Sequence, residues 1–234
     1  MKPLSIYSLF FLNYLLMSSA HSANPHACCT GPSSVTTEPP QHVLTFKQAW
    51  LEQTSDSFRP AIAELYPNKS GLKVIFTLED DEIFSEATGF NQETWKLGDV
   101  VEIFLGIPGE SDYWELHITP NNQRLQLAWN PQSFEDFRQG AIPLQECMIT
   151  DPEFIQSEVT VNTEKKMWQC SVFIPWTSIK LATGQASYEL ELAFCRYDVS
   201  RNQKGATLSS TAALSKASYH RRHEWDTLLL EVSK

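Results

Sequence analysis

Short apolar stretches recur along the chain, with turn-forming residues between them. Within most stretches apolar and polar side chains alternate, which is the period of a strand with one buried face. Their recurrence at intervals of roughly ten residues is typical of a β-sandwich or jelly roll. The pattern therefore predicts an all-β fold, an antiparallel β-sandwich. The predicted strands are His42–Phe46, Ala61–Tyr66, Leu72–Leu78, Val100–Ile107, Trp114–Thr119, Gln123–Trp129, Ser157–Val161, Trp168–Ile174, Tyr188–Tyr197, Thr207–Ser210 and Thr227–Val232.

Alternation also predicts which side chains share a face. Glu102 lies opposite the aliphatic residues of its strand, and in the next strand Glu115 and His117 share a polar face. Arg124 and Asn130 are predicted to extend that face on the third strand, with the apolar residues of that strand on the other side. Burying an unpaired carboxylate costs several kcal/mol. Such a face therefore either faces water or binds a polar ligand.

The N-terminus has the features of a secretory signal. Lys2 precedes an apolar run over residues 6–17, and Ser18–Ala20 offers small residues for cleavage. The run is shorter than the 20 or so residues that span a bilayer, so no transmembrane segment is predicted. We expect residues 1–20 to be a signal peptide, 21–41 to be a flexible segment and 42–234 to be the β-sandwich domain, in a secreted or periplasmic protein.

The five cysteines bear on export and anchoring. Cys28 and Cys29 follow the leader and make a lipoprotein anchor the rival interpretation, although residues 25–27 form a poor lipobox. An odd number of cysteines in an exported chain leaves at least one free or paired between molecules. Cys170 and Cys195 lie in apolar strands, which favours small buried side chains over a disulfide.

The charge and aromatic content limit the classes of binding partner and of fold. The net charge is -10, so nucleic acids and anionic membranes are unfavourable partners. Aromatic residues make up 12% of the chain and charged residues 20%, which suits a well-buried globular core and excludes extended disorder.

No catalytic motif is present in the sequence. GxSxG, HExxH, a Walker loop and GxGxxG are all missing, which lowers the expectation of an enzyme. Glu102 and Glu115 could form the acid and nucleophile of a glycosidase, whose two carboxylates flank the scissile bond. Carboxylates on a sheet face more often accept hydrogen bonds from a ligand or from neighbouring side chains.

Two sets of residues are candidate metal ligands. Asp80 and Asp81 follow the strand that ends at Leu78 and could bind Ca²⁺ together with backbone carbonyls, although an acidic solvated turn has the same pattern. His220 and His223 are three residues apart and could bind one metal ion if they lay on a helical turn. The arginines between them favour a polar loop instead.

A sugar ring offers an apolar face and a rim of hydroxyl groups. Its binding site needs flat aromatic side chains together with groups that donate and accept hydrogen bonds. The sequence contains these types at Trp95, Glu102, His117, Arg124, Asn130 and Tyr219.

Several blocks of the sequence resemble family 9 carbohydrate-binding modules and their DOMON-like relatives. Trp95–Phe104 is similar to a Trp, an Asp and a Val-Glu-Ile-Phe run in those proteins, and Tyr113–Asn121 to the strand that follows it. The likeness continues at Trp168–Trp176 and Phe194–Asp198, and it ends at Tyr219–Leu228. The blocks occur in the family's order.

The resemblance implies a single β-sandwich whose concave sheet holds a sugar between two aromatic rings. Trp95 matches one stacking ring, and Tyr219 falls where the family has the other. Glu102 matches the glutamate that bonds sugar hydroxyls, and His220 matches the histidine of the closing block. His117 and Arg124 join the predicted site only by alternation.

The expected function is that of an exported, non-catalytic carbohydrate-binding protein that serves polysaccharide or glycan catabolism. The resemblance also implies a structural Ca²⁺, for which Asp80 and Asp81 are the candidates. A DOMON-type haem or redox module is the alternative, with His117, His220 or a methionine as axial ligand. Hydrolysis by Glu102 and Glu115 is the third possibility.

Overall fold

Two antiparallel sheets make up the computed structural model, which describes residues 38–232. The predicted signal peptide, most of the predicted flexible segment, Cys28 and Cys29 lie outside the described residues. All predicted strands are present, each within two residues of its predicted bounds, so the predicted all-β sandwich is confirmed. The strands are β1 His42–Thr45, β2 Ala61–Pro67, β3 Gly71–Glu79, β4 Val100–Gly106, β5 Tyr113–Ile118, β6 Arg124–Trp129, β7 Gln156–Asn162, β8 Met167–Pro175, β9 Ser187–Val199, β10 Ala206–Ser210 and β11 Asp226–Glu231.

The strand order places the predicted polar strands side by side. One sheet has the order β1-β2-β3-β8-β7, and the other has the order β10-β9-β4-β5-β6. The long strand β9 pairs with β10 through its C-terminal part and with β11 through its N-terminal part. Strands β4, β5 and β6 are therefore consecutive neighbours in the second sheet.

The main core lies between the two sheets. On β4 the side chains of Val101, Ile103 and Leu105 are buried there, which confirms the predicted apolar face of this strand. Phe76 on β3 meets Phe194 on β9 edge to face, with ring centroids 5.2 Å apart. The opposite, outer face of the second sheet carries a separate apolar cluster.

The described cysteines are small buried side chains. Cys147, Cys170 and Cys195 are all free and buried, which confirms the interpretation made for the two strand cysteines. Cys170 belongs to the core between the sheets, and Cys195 belongs to the outer cluster.

A short helix that the sequence pattern did not predict covers part of the outer face. Helix α1 spans Pro131–Arg138, with proline at its start and a reciprocal capping box between Asn130 and Ser133. Its two phenylalanine rings pack on Trp129 of β6. Three 3-10 turns complete the helical content of residues 38–232: Thr94–Lys96, Leu144–Cys147 and Arg222–Glu224. Within that range no helix is long and apolar enough to cross a membrane.

The register of β6 reverses its predicted faces. Leu127 pairs with Glu115 and Leu125 with His117, so these leucines point to the same side as the polar residues of β5. Arg124 pairs with Ile118 and belongs to the other face. The prediction that Arg124 extends the polar face was wrong, because α1 covers the outer side of β6 and buries the apolar residues of this strand there.

Candidate functional site

A cavity of about 300 Å³ lies on the outer face of the second sheet. Side chains of β4, β5 and β6 form its floor, and α1 together with the segment before β11 forms its walls. None of the described residues that line it is a lysine or an arginine. The lining residues are Trp95, Glu102, Phe104, Glu115, Leu127, Trp129, Phe137, Leu144, Tyr197, Ala217, Ser218, Tyr219 and His220.

Two glutamates and a histidine meet at the floor of this cavity, and we call them the carboxylate–histidine cluster. Glu102 on β4 pairs directly with His117 on β5, and Glu115 lies two residues before that histidine on the same face. His117 Nε2 is 2.7 Å from Glu115 Oε1 and 3.3 Å from Glu102 Oε1. Their exposed fractions are 2% for Glu102, 5% for Glu115 and 0% for His117.

Neighbouring groups hold two of the three side chains in place. His117 Nδ1 is hydrogen-bonded to the hydroxyl of Thr94 at 2.8 Å. The indole N–H of Trp129 donates to Glu115 Oε2 at 2.7 Å, so both oxygens of this carboxylate are engaged. No described residue donates a hydrogen bond to the Glu102 carboxylate. Glu102 is therefore buried without a hydrogen-bond donor of its own.

The second histidine of the cavity, His220, borders the same cluster. Its Nε2 lies 3.6 Å from Glu115 Oε2, and its Nδ1 is 2.9 Å from the hydroxyl of Tyr113. Its ring stacks on Phe134 of α1 at a centroid distance of 4.2 Å. Burial lowers the pKa of His220, and the negative charge of Glu115 offsets only part of that effect.

The two glutamates have opposite protonation tendencies. Burial raises the pKa of Glu102 to about 8, with His117 opposing and Glu115 reinforcing the shift. Burial also acts to raise the pKa of Glu115, but His220, His117 and Trp129 together lower it below its usual value. The pKa of His117 is raised, since its two carboxylate neighbours outweigh its burial. Near neutral pH, Glu102 thus retains a proton while Glu115 is ionised.

The structure places both predicted aromatic rings at the cavity, in different settings. Trp95 is half-buried and meets His117 edge to face, with ring centroids 5.6 Å apart. Tyr219 is only 4% exposed, and its hydroxyl donates to the carbonyl of Arg196 at 2.7 Å. Trp95 therefore offers an accessible ring, while Tyr219 forms a buried wall.

The predicted site residues divide into two groups. Trp95, Glu102, His117, Tyr219 and His220 come together at the cavity or directly beneath it. Arg124 is not among the lining residues; its guanidinium donates to the carbonyl of Ile155 and lies over the ring of Phe90.

Three contributors are absent from the sugar site predicted from sequence. Glu115 is predicted to share the polar face with His117, but it is considered as a functional residue only as part of a catalytic pair. Trp129 was placed on the wrong face of β6. Thr94 gave no signal in the sequence, because its contact with His117 depends on the 3-10 turn before β4.

A second group of buried acids lies on the opposite face of the same sheet, and we call it the arginine–aspartate cluster. Oxygens of Asp80, Asp99 and Asp198 lie within 4.8 Å of one another. Arg196 Nη2 is 3.1 Å from Asp80 Oδ2 and 3.0 Å from Asp198 Oδ2. The oxygens of Asp99 accept two backbone N–H groups at 2.7 and 2.8 Å. This cluster thus contains its own cation and donors.

The structure separates the residues of both metal pairs considered from sequence. Asp80 is buried beside Arg196, whereas the side chain of Asp81 is 46% exposed and pairs with Lys166 at 2.9 Å. His220 lines the cavity, whereas the side chain of His223 is 71% exposed.

Comparison with known proteins gives information on the fold. No protein-family profile matches the sequence, and a search of curated proteins finds no match. A proposed carbohydrate-binding protein from Bacteroides uniformis superposes with a TM-score of 0.61 at 12% identity, over 81% of this chain and 86% of that one. A family 9 carbohydrate-binding module from Caldicellulosiruptor kristjanssonii, solved with cellotriose, superposes with a TM-score of 0.50 at 12% identity, over 84% of this chain and 82% of that one. The chain thus has the β-sandwich fold seen in family 9 carbohydrate-binding modules.

Proposed function

We propose that the protein binds carbohydrate, without cleaving it, in the cavity on the outer face of the second sheet. The observation that carries this proposal is Glu102, a buried carboxyl group at the cavity floor that contacts His117 Nε2 at 3.3 Å and accepts no hydrogen bond from the other described residues. Sugar hydroxyls both donate and accept hydrogen bonds, so they can satisfy this group in either protonation state. A buried polar group left unsatisfied is costly, which gives the bound ligand a stabilising role.

The aromatic lining supports the same ligand class. The half-buried ring of Trp95 can pack on the apolar face of a sugar, and Tyr197 and Tyr219 enclose the cavity from the β9 side. A volume of about 300 Å³ is at the small end for ligand pockets, which suits a terminal sugar unit better than a long chain. The fold likeness to a module solved with cellotriose adds support.

The geometry of the two glutamates favours binding over hydrolysis. Glycosidase carboxylates flank the bond that they cleave. Here Glu102 and Glu115 both approach the same nitrogen of His117, and both oxygens of Glu115 already accept hydrogen bonds. A haem ligand is disfavoured as well, because Glu102 and Glu115 lie against His117 Nε2, in the space that a porphyrin ring would need.

Export and a role in glycan catabolism are part of the proposal. They are supported by the composition of residues 1–20 and by the resemblance to family 9 modules.

A glycan array tests the proposed ligand class. Wild-type protein is expected to bind a subset of glycans, and Glu102→Leu is expected to lose that binding because leucine neither donates nor accepts a hydrogen bond. Glu158→Leu is the matched control, since Glu158 is an exposed carboxylate on β7 of the other sheet. If wild-type protein binds no glycan on the array, the proposed function is wrong.

A further inference from the structure

The carboxylate–histidine cluster has the spacing of a metal-binding site. Glu102, Glu115 and His117 each present one ligand atom, and these atoms all lie within 4.8 Å of one another. At the usual Zn–ligand distances, two ligands of a tetrahedral ion lie roughly 3.3 Å apart. The distance from His117 Nε2 to Glu102 Oε1, 3.3 Å, matches this value. The 2.7 Å hydrogen-bond contact between His117 Nε2 and Glu115 Oε1 would lengthen by about 0.6 Å when an ion replaces its proton.

Outer hydrogen bonds orient the candidate ligands toward a common point. Thr94 holds Nδ1 of His117, which leaves Nε2 to face the glutamates. Trp129 holds Oε2 of Glu115, which leaves Oε1 on the side of His117. Metal-binding histidines and carboxylates are typically fixed in this way by partners that do not touch the metal.

His220 lies beside this set but outside it. Tyr113 engages its Nδ1 at 2.9 Å, and its Nε2 lies 3.6 Å from Glu115 Oε2, the oxygen that Trp129 holds. Glu102, Glu115 and His117 therefore supply three candidate ligands from β4 and β5 at the cavity floor.

Glu102 is the observation that a purely structural network does not explain. It is 2% exposed, it receives no hydrogen bond from any described residue, and it faces a cavity whose described lining contains no lysine or arginine. In the arginine–aspartate cluster, by contrast, Arg196 supplies the positive charge. Among the described residues, the carboxylate–histidine cluster has only histidine, and no lysine or arginine, to balance its two glutamates.

We propose that Glu102, Glu115 and His117 bind a divalent first-row transition metal, and that Zn²⁺ suits this set of three ligands best. Mixed nitrogen and oxygen ligands in small number are typical of Zn²⁺, whereas Ca²⁺ and Mg²⁺ select oxygen ligands in larger number. The cavity above the cluster leaves space for a water or a ligand hydroxyl at the ion. The proposal does not depend on carbohydrate binding.

Calorimetric titration of ZnCl₂ into purified, untagged protein that has been freed of metal with EDTA and dialysed tests the proposal. Wild-type protein is expected to bind one Zn²⁺ per chain, and Glu102→Gln and His117→Gln are each expected to weaken binding at least tenfold. His223→Gln is the matched control, because His223 is exposed and outside the cluster. CoCl₂ should give visible d–d absorption with wild-type protein that Glu102→Gln diminishes.

Absence of saturable Zn²⁺ binding by wild-type protein would overturn the proposal. The proposal would also be overturned if the Glu102→Gln variant bound Zn²⁺ as tightly as wild-type protein. This comparison requires that both proteins have the same urea midpoint of unfolding. If His117→Gln fails to fold, the wild-type stoichiometry and the Glu102→Gln variant decide. A glycan array run with EDTA-treated protein keeps the two proposals separable, since carbohydrate binding can persist without Zn²⁺ binding.

Discussion

The two faces of the second sheet each carry a cluster of buried acids, and the protein neutralises them differently. In the arginine–aspartate cluster, Arg196 pairs with Asp80 and Asp198, and backbone N–H groups bond Asp99. In the carboxylate–histidine cluster, Glu102 has no such donor and lies below a cavity. The first cluster contains its own cation, although Arg196 Nε and Asp198 Oδ2 have no hydrogen-bond partner among the described residues, and the second lies below a cavity that has space for a ligand.

This difference predicts that mutations in one cluster change the stability of the protein, whereas mutations in the other change its ligand binding. Burying charge is costly unless it is paired and hydrogen-bonded. In the first cluster the pairing is internal, so its removal should unfold the protein. In the second the missing partner comes from outside, so changes at Glu102 should affect binding and leave the unfolding free energy nearly unchanged.

Removing the arginine should have the largest effect on stability. Arg196→Met leaves Asp80 and Asp198 buried without their cation, and breaking a buried pair from one side costs about 3–5 kcal/mol. Urea unfolding of the variant measures this loss directly. Arg59→Met is the control at a more exposed ion pair. A loss below about 1 kcal/mol for Arg196→Met would show that the cluster is not a stabilising unit.

The pH dependence of stability sharpens the same comparison. Burial, reinforced by Asp80 and opposed by Arg196, raises the pKa of Asp198 from 3.8 to about 6. The folded protein then holds a proton that the unfolded chain has released, so this contribution is present below pH 3.8 and is lost as pH rises through about 6.

Asp198→Asn should remove this part of the pH dependence. The unfolding free energy of wild-type protein relative to the variant should fall by on the order of 2–3 kcal/mol between pH 4 and pH 7. Urea unfolding at both pH values measures it. A difference that stays constant or rises with pH would contradict the assignment.

Near the carboxylate–histidine cluster, the largest expected effect on glycan binding after that of Glu102 is at the half-buried ring of Trp95. Trp95→Ala should weaken glycan binding about tenfold or more, which corresponds to about 1.4 kcal/mol, because the apolar sugar face loses its partner. Trp95→Phe should retain part of the affinity. The measurement is affinity electrophoresis in a gel that contains a glycan found on the array. If the glycan retarded Trp95→Ala as strongly as wild-type protein, the Trp95 ring would not contact the ligand.

The smallest effect is expected at the buried wall. Tyr219→Phe removes only the hydrogen bond to the Arg196 carbonyl, and it should cost about 1 kcal/mol of stability without a change in glycan binding. Thermal unfolding and the same affinity gel provide the two readouts. A tenfold loss of binding would instead place the Tyr219 hydroxyl in contact with the ligand.

Local pattern was sufficient to predict the strands, because alternation with period two is set by each strand's own residues. Alternation could not determine which side chains of β6 lie on the outer face of the second sheet. That depends on α1, whose eight residues give too little periodicity to predict and which buries the leucines of β6 beneath it. Arg124 was therefore assigned to the wrong face.

Alternation predicted the part of the site where neighbouring strands pair in order, whereas Trp95, Tyr219 and His220 came from the family resemblance. Glu102 and His117 lie on consecutive strands, so alternation placed them on one face and the register brought them into contact. The arginine–aspartate cluster combines Asp80, Asp99 and Arg196, which are far apart in the chain. Their meeting depends on tertiary packing, and no spacing in the sequence indicates it.

The most direct test of the contrast between the clusters is a paired measurement on Glu102→Leu, with glycan-array binding and urea unfolding recorded on the same preparation. The variant removes the buried carboxyl group and its hydrogen-bonding capacity and leaves no polar group unsatisfied in its place. The predicted result is loss of glycan binding with an unfolding free energy equal to or above that of wild-type protein. Retained binding, or a loss of stability as large as that expected for Arg196→Met, would contradict the account.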